Sequence, residues 1–244
     1  MKNDIDMTLK VESVILKETK EIICDNNTCK VYYYQVKIHN VKQKAIAMRE
    51  QFINETWLSK IVDKGDIESF KVCSESTITM LLRILNHIDN PIGQEFGEYI
   101  ISSTALTTLE NEQNHEALPL AEIWKEQESK NPGFDFHTIS PDEILLYGEA
   151  KYRSRANAYG DAIKSIKNFI KNKKDKAELH QLKLLNPRIT NEHINIDKKG
   201  FIAAFSIHNN FDNIFKTIIK NKYIIDNKLF KYPEWHFIGV EVCH

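Results

Sequence analysis

Two neighbouring segments give the strongest structural signal in this sequence: Gly133-Phe134-Asp135-Phe136-His137 and Ile144-Leu145-Leu146-Tyr147-Gly148-Glu149-Ala150-Lys151. The apolar run that opens the second segment is typical of a buried strand. Side chains on a strand alternate between its two faces. A strand over residues 145–151 therefore places Glu149 and Lys151 on one face and Ala150 on the other.

The first segment is predicted to form the strand next to it. It follows a Pro-Gly turn signal at residues 132–133 and has aromatic residues on both sides of Asp135. A turn at Ser140-Pro141-Asp142 would join the strands as a hairpin and bring Asp135 beside Glu149. His137 would share the face of Asp135, where it either reaches a metal ion or phosphate or acts as a hydrogen-bonded structural histidine.

Two carboxylates and an ammonium group on one surface suit metal-dependent phosphodiester hydrolysis. Carboxylate oxygens bind hard divalent cations such as Mg²⁺. A bound metal ion polarises the phosphate and lowers the pKa of a water molecule, while Lys151 can position that water or offset negative charge. The alternative is a solvated charged face. Placement at the end of an apolar strand favours the metal site, because buried charges need compensation.

These residues resemble the PD-(D/E)XK nuclease superfamily, with Asp135 followed by Glu149-Ala150-Lys151. The wider context around residues 93–170 is similar to the DUF1837 group, which supplies the nuclease subunit of two-component Hachiman antiphage systems. The resemblance implies a restriction-endonuclease-like core with a mixed sheet flanked by helices. It implies Mg²⁺- (or Mn²⁺-) dependent DNA cleavage in which Asp135 and Glu149 bind metal and Lys151 is catalytic. It also implies a heterodimer with a superfamily 2 helicase subunit (HamB-like).

The superfamily often adds a carboxylate from the preceding helix, which the sequence predicts over residues 94–110 because its apolar residues suit a buried face. Gly97-Glu98 resembles that position, so Glu98 is the predicted additional metal ligand and catalytic residue. Glu95 lies three residues away on a neighbouring helical position. The sequence alone leaves the choice between the two open.

A basic segment follows the motif. A helix is predicted from about residue 156 to residue 171, with Arg153 and Arg155 just before it and Lys164 and Lys167 on one of its faces. Contacts with nucleic-acid phosphates would explain these cations, and a solvated helix surface explains the lysines equally well.

The composition is ordinary for a globular protein, with 244 residues, 42% hydrophobic and 27% charged. We expect an α/β (α+β) fold divided into an N-terminal α+β region, residues 1–90, and a nuclease-like core, residues 91–244. A net charge of -1 argues against coating nucleic acid by charge alone. The polar N-terminus and the absence of a bilayer-length apolar run predict a cytoplasmic protein without a membrane association.

Cys24 and Cys29 flank a turn sequence and are predicted to face each other across a hairpin, as reduced thiols rather than zinc ligands.

Two further functions stay open: a restriction- or repair-type endonuclease, and a non-catalytic DNA- or protein-binding module on the same fold. The intact Asp135, Glu149 and Lys151 favour an enzyme.

Overall fold

One mixed sheet organises the chain. The computed structural model describes residues 11–24, 27–61, 65, 67–86, 93–125, 133–208, 211–221, 224–225 and 227–242. Seven strands follow the order β1-β2-β7-β6-β5-β4-β3. Their bounds are β1 Glu12–Cys24, β2 Asn27–Ile38, β3 Glu116–Ala117, β4 Phe136–Ile139, β5 Leu145–Lys151, β6 Lys199–Ile207 and β7 Glu234–Val242.

Helices flank this sheet. The α-helices are α1 Val41–Ile53, α2 Ile67–Asn86, α3 Gln94–Gln113, α4 Ala121–Trp124, α5 Tyr159–Lys171, α6 Lys174–Leu185 and α7 Phe211–Ile219. Short 3-10 helices span Thr56–Lys60, Asn191–Ile194, Ile196–Lys198 and Leu229–Lys231. Among the described residues, no helix is long and apolar enough to cross a membrane. The coarse expectation of a mixed α/β sheet flanked by helices is confirmed.

The central strands are parallel and buried. β5, β6 and β7 pair in parallel, and all nine residues of β6 are buried. Strands covered on both faces need continuous apolar sequence, which Phe201–Ile207 supplies. On one flank, α5 buries four apolar side chains: Ala162, Ile163, Ile166 and Phe169. This packing fixes the end of β5, where the candidate site lies.

The N-terminal strands extend the same sheet. β1 and β2 form an antiparallel hairpin, and β2 pairs in parallel with β7. Tyr33 and Tyr34 of β2 point to opposite faces and are both fully buried, so β2 is covered on both faces. Strands from both sides of the predicted division at residue 90 therefore share one sheet, while residues 87–92 themselves lie outside the described residues.

Several local predictions are confirmed and others are wrong. The hairpin of β4 and β5 and the bounds 145–151 of β5 are confirmed. Asp135 precedes β4 rather than lying in it, although its backbone N–H donates to Gly148 O at 2.8 Å. Cys24 lies opposite Asn27, and Cys29 lies opposite Ile22, so the two cysteines do not face each other.

Helix bounds differ more. The apolar pattern of the sequence predicts helices over residues 45–61 and 76–88, whereas α1 spans Val41–Ile53 and α2 spans Ile67–Asn86. For residues 119–124 the sequence predicts a strand or a loop, whereas residues 121–124 form the short helix α4. α6 was not predicted, because charged residues occupy five of its twelve positions and weaken its apolar periodicity.

Candidate active site

The predicted motif residues converge where β5 ends. Asp135 Oδ2 accepts a hydrogen bond from the backbone N–H of Ala150 at 2.7 Å. Lys151 Nζ lies 2.8 Å from Glu149 Oε1 and 3.7 Å from Glu98 Oε1, which comes from α3. The structure therefore brings together all four residues predicted as catalytic. The side chain of Glu95 lies outside the described residues.

A fourth acidic residue, Glu122 on α4, joins this cluster and was not predicted from the sequence. Burial raises its pKa to about 8, and the negative charge of Asp135 adds to the shift. Its Oε2 atom is sealed from solvent and has no hydrogen-bond partner. One signal was present in the sequence: Glu122 is the single charged residue in the run Leu118-Pro119-Leu120-Ala121-Glu122-Ile123-Trp124.

The two central carboxyls also resist ionisation. Burial raises the pKa of Asp135 to about 6, against the opposing effect of Lys151. Glu149 is 2% exposed, and burial followed by the charge of Asp135 holds its pKa well above the ordinary range. Its Oε2 atom has no hydrogen-bond partner. Buried carboxylate oxygens without donors are an unfavourable arrangement unless a cation neutralises them.

Lys151 remains a cation in this setting. Burial works to lower its pKa, but the negative charges of Glu149 and Asp135 outweigh burial and raise the pKa. The carboxyl groups of Glu149, Asp135 and Glu98 act on this ammonium group, and Glu122 interacts with Asp135 and Glu98. Carboxylate oxygens suit a hard divalent ion such as Mg²⁺ or Mn²⁺, and Asp135, Glu149, Glu98 and Glu122 are the residues that would hold it. Their oxygens are more widely spaced than the ligands of a compact metal site, so binding would draw the side chains together.

The raised pKa values predict how stability depends on pH. Above about pH 4, the ordinary pKa of a carboxyl group, the unfolded chain has released protons that the folded chain still holds. The metal-free protein should therefore lose stability as the pH rises through the folded-state pKa values, about 6 for Asp135 and about 8 for Glu122. Glu149→Gln removes one such carboxyl. In the presence of a chelator, Glu149→Gln should have a higher Tm than the wild type, by about 2–4 °C for each kcal/mol gained in the free energy of unfolding. This difference in Tm should be larger at about pH 8 than at about pH 5.

Thermal melts of both proteins across this pH range check the prediction. The matched control is Glu143→Gln, which alters an exposed glutamate paired with Arg188. If the difference in Tm between Glu149→Gln and the wild type does not grow with pH, the inferred cost of ionising the buried carboxyl groups is contradicted.

Glu178 of α6 anchors the chain on both sides of the site. Its Oε1 atom accepts from the backbone N–H of Phe134 at 3.0 Å and from Lys125 Nζ at 2.8 Å, and Oε2 lies 2.9 Å from His137 Nε2. Phe134 precedes Asp135, and Lys125 follows α4. A single buried carboxylate thus positions the segments that carry Asp135 and Glu122.

The remaining predicted residues lie around this cluster. His137 is fully buried against Glu178, and burial lowers its pKa, so the ring is a neutral core group without exposure to a phosphate. Arg153, Arg155 and Lys164 are exposed and Lys167 is half-buried. Arg153 Nε lies 2.6 Å from Asp161 Oδ2. The structure places these four cations along the segment that leaves β5.

No protein-family model matches the chain, and no similar protein was found among curated proteins. The resemblance to the PD-(D/E)XK superfamily and to the DUF1837 group therefore stays a prediction that depends on the motif residues. The geometry of the cluster stands independently of that resemblance.

Proposed function

We propose that this chain hydrolyses DNA phosphodiester bonds with a divalent metal ion, on a restriction-endonuclease-like core. One observation carries the proposal: Asp135, Glu149 and Glu98 lie around Lys151, Glu122 interacts with Asp135 and Glu98, and two of the buried carboxylate oxygens have no hydrogen-bond partner. Structural ion pairs ordinarily satisfy their oxygens, whereas a metal site is left with free oxygens until the ion binds.

The side chains divide the chemistry between them. Asp135 and Glu149 would hold the ion, assisted by Glu98 and Glu122, and Mg²⁺ would polarise the phosphate and lower the pKa of a bound water. Lys151 keeps its proton, because its pKa is raised by Glu149 and Asp135 despite burial. It therefore donates a hydrogen bond to the attacking water or to the developing negative charge rather than acting as a base.

DNA would approach along the basic segment after β5. Arg153 and Arg155 are exposed next to the site, with Lys164 on the following helix. The Arg153–Asp161 pair is solvent-exposed, and exposed pairs contribute little stability. A phosphate group can therefore replace Asp161 as the partner of Arg153.

Metal dependence is the direct test of this function. The purified chain should cleave plasmid and linear DNA in Mg²⁺ or Mn²⁺, and excess EDTA should abolish cleavage because the carboxyl cluster lacks its cation. Calorimetry with Mg²⁺ or Mn²⁺ reports binding separately from cleavage. Absence of both cleavage and ion binding would overturn the proposal. Ion binding without cleavage of any DNA would favour the non-catalytic alternative.

The same proposal extends to a partner. The resemblance implies a superfamily 2 helicase that restrains the nuclease in a two-component antiphage system, and the net charge of -1 agrees with a subunit that relies on a partner to hold DNA. Co-purification of the two chains from a host that expresses both is the test. A helicase that never co-purifies with this chain would favour the restriction- or repair-type alternative.

A further inference from the structure

A second group of ligand-type side chains lies elsewhere in the core: His115, Glu234 and His236, all buried. Glu234 Oε1 lies 2.6 Å from His236 Nε2 and 3.4 Å from His115 Nε2. The three residues each offer one ligand atom, and these atoms all lie within 4.8 Å of one another. Among the described residues, no other group of His, Cys, Asp and Glu side chains has this compactness.

This group lies on the opposite face of the sheet from the carboxyl cluster. Glu149 pairs with Ala203, and Ala203 pairs with Phe237, so these three residues share a face. His236 precedes Phe237 on β7 and points to the other side. The two groups are therefore separate sites with different ligand chemistry.

Both imidazoles are held in place by neighbouring side chains. The Nδ1 atom of His115 lies 3.0 Å from Thr138 Oγ1, which directs Nε2 towards Glu234. The ring of Tyr32 stacks on His236 with centroids 4.7 Å apart and planes 8° apart. A hydrogen bond that fixes the outer nitrogen of a histidine is the usual support of a metal ligand.

We propose that His115, Glu234 and His236 form a metal site for a borderline transition-metal ion with the ligand preferences of Zn²⁺. Imidazole nitrogen and carboxylate oxygen suit Zn²⁺, while Mg²⁺ requires oxygen ligands and retains several waters. The enclosed position excludes a hydrated ion.

Two of the three ligand separations can be compared with those of a tetrahedral site. Bonds of about 2.0–2.1 Å separate neighbouring ligand atoms by about 3.3 Å. The 3.4 Å between His115 and Glu234 already matches this separation. The 2.6 Å between His236 and Glu234 must lengthen by a fraction of an ångström, which a side-chain rotation provides. The second carboxylate oxygen or a water would complete the coordination.

Such an ion would act as a structural cross-link. His115 follows the end of α3, Glu234 and His236 lie at the start of β7, and Thr138 lies on β4. The site therefore joins three elements that are far apart in the sequence. We expect the metal to stabilise the fold without taking part in DNA cleavage.

Metal analysis of the untagged full-length chain tests the proposal. After dialysis against Mg²⁺ buffer, the wild type should retain about one zinc per chain. His115→Gln and His236→Gln should retain almost none, whereas His180→Gln, which changes an exposed histidine of α6, should match the wild type. Glu149→Gln should also keep its zinc, because it alters the other face.

Cobalt substitution provides a test that needs no variant. Removal of zinc with a strong chelator should lower the Tm, and Co²⁺ added to the stripped wild type should produce the ligand-field bands of a tetrahedral nitrogen–oxygen site. Zinc-free wild-type protein that shows no Co²⁺ spectrum would overturn the proposal. Folded His236→Gln protein with undiminished zinc would overturn it as well.

Discussion

Glu149→Gln is expected to reduce the rate of DNA cleavage by about 10²- to 10³-fold, equivalent to about 3–4 kcal/mol of transition-state stabilisation, while the fold is retained. Glutamine keeps the shape of the side chain but removes the negative charge that would bind the ion. The change also relieves burial of a carboxyl whose pKa is raised. Activity and stability should therefore change in opposite directions, which a simple packing defect does not produce.

Lys151→Met should cause a loss of similar size through a different route. Methionine fills the space of the lysine stem but removes the ammonium group that contacts Glu149 and Glu98. We expect the ion to bind at least as tightly, because a competing cation has gone, while cleavage falls. The Glu149→Ala, Lys151→Ala double variant should have no detectable cleavage.

Initial rates on plasmid DNA, with circular dichroism to verify folding, provide the measurement. Two matched controls change exposed partners of surface ion pairs: Glu143→Gln and Lys30→Met. Both should cleave at the wild-type rate. Wild-type cleavage by the folded double variant would sink the assignment of the active site.

The motif strands could be predicted from sequence because local chemistry defines them. The apolar run before Glu149 indicates a buried strand, and the two-residue period then fixes the shared face of Glu149 and Lys151. Proximity of Asp135 follows from the hairpin, which is a short-range feature. The face and neighbourhood of these three residues therefore needed no tertiary information.

Residues that join the sites from distant elements could not be predicted in the same way. Glu122 lies on the four-residue helix α4, which is too short to show helical periodicity. His115 and His236 meet only because β7 inserts between β2 and β6. The Glu234-Trp235-His236 spacing does place both ligands on one strand face, and this was the available signal for the second metal site.

Gly133 and His137, in the segment that carries Asp135, have a structural explanation. A side chain at Gly133 would collide with the Glu178 carboxylate, and His137 is bonded to that same carboxylate. Both residues thus reflect the buried position of Glu178. Of the two alternatives that the sequence left open for His137, the structure shows the hydrogen-bonded core histidine.

The second large effect is expected at Glu178. Glu178→Ala should lower the free energy of unfolding by about 3–5 kcal/mol, because it leaves Lys125 and His137 without their buried partner. Burial would raise the pKa of Glu178, but the hydrogen bond with His137 and the charge and hydrogen bond of Lys125 outweigh burial and lower it, so an ionised carboxylate is the group removed. Loss of the Phe134 contact should also displace Asp135 and reduce cleavage.

Urea denaturation of Glu178→Ala, Glu178→Gln and the exposed control Glu192→Ala separates these effects. Glutamine retains an oxygen for the Phe134 N–H but loses the charge that faces Lys125, so its stability should lie between alanine and the wild type. If Glu178 acts by positioning Asp135, Glu178→Gln should also retain more cleavage and Mg²⁺ affinity than Glu178→Ala when both are folded. Equal stability of Glu178→Ala and the wild type would contradict the anchoring role, because the variant loses the three buried contacts of the carboxylate with Phe134, Lys125 and His137.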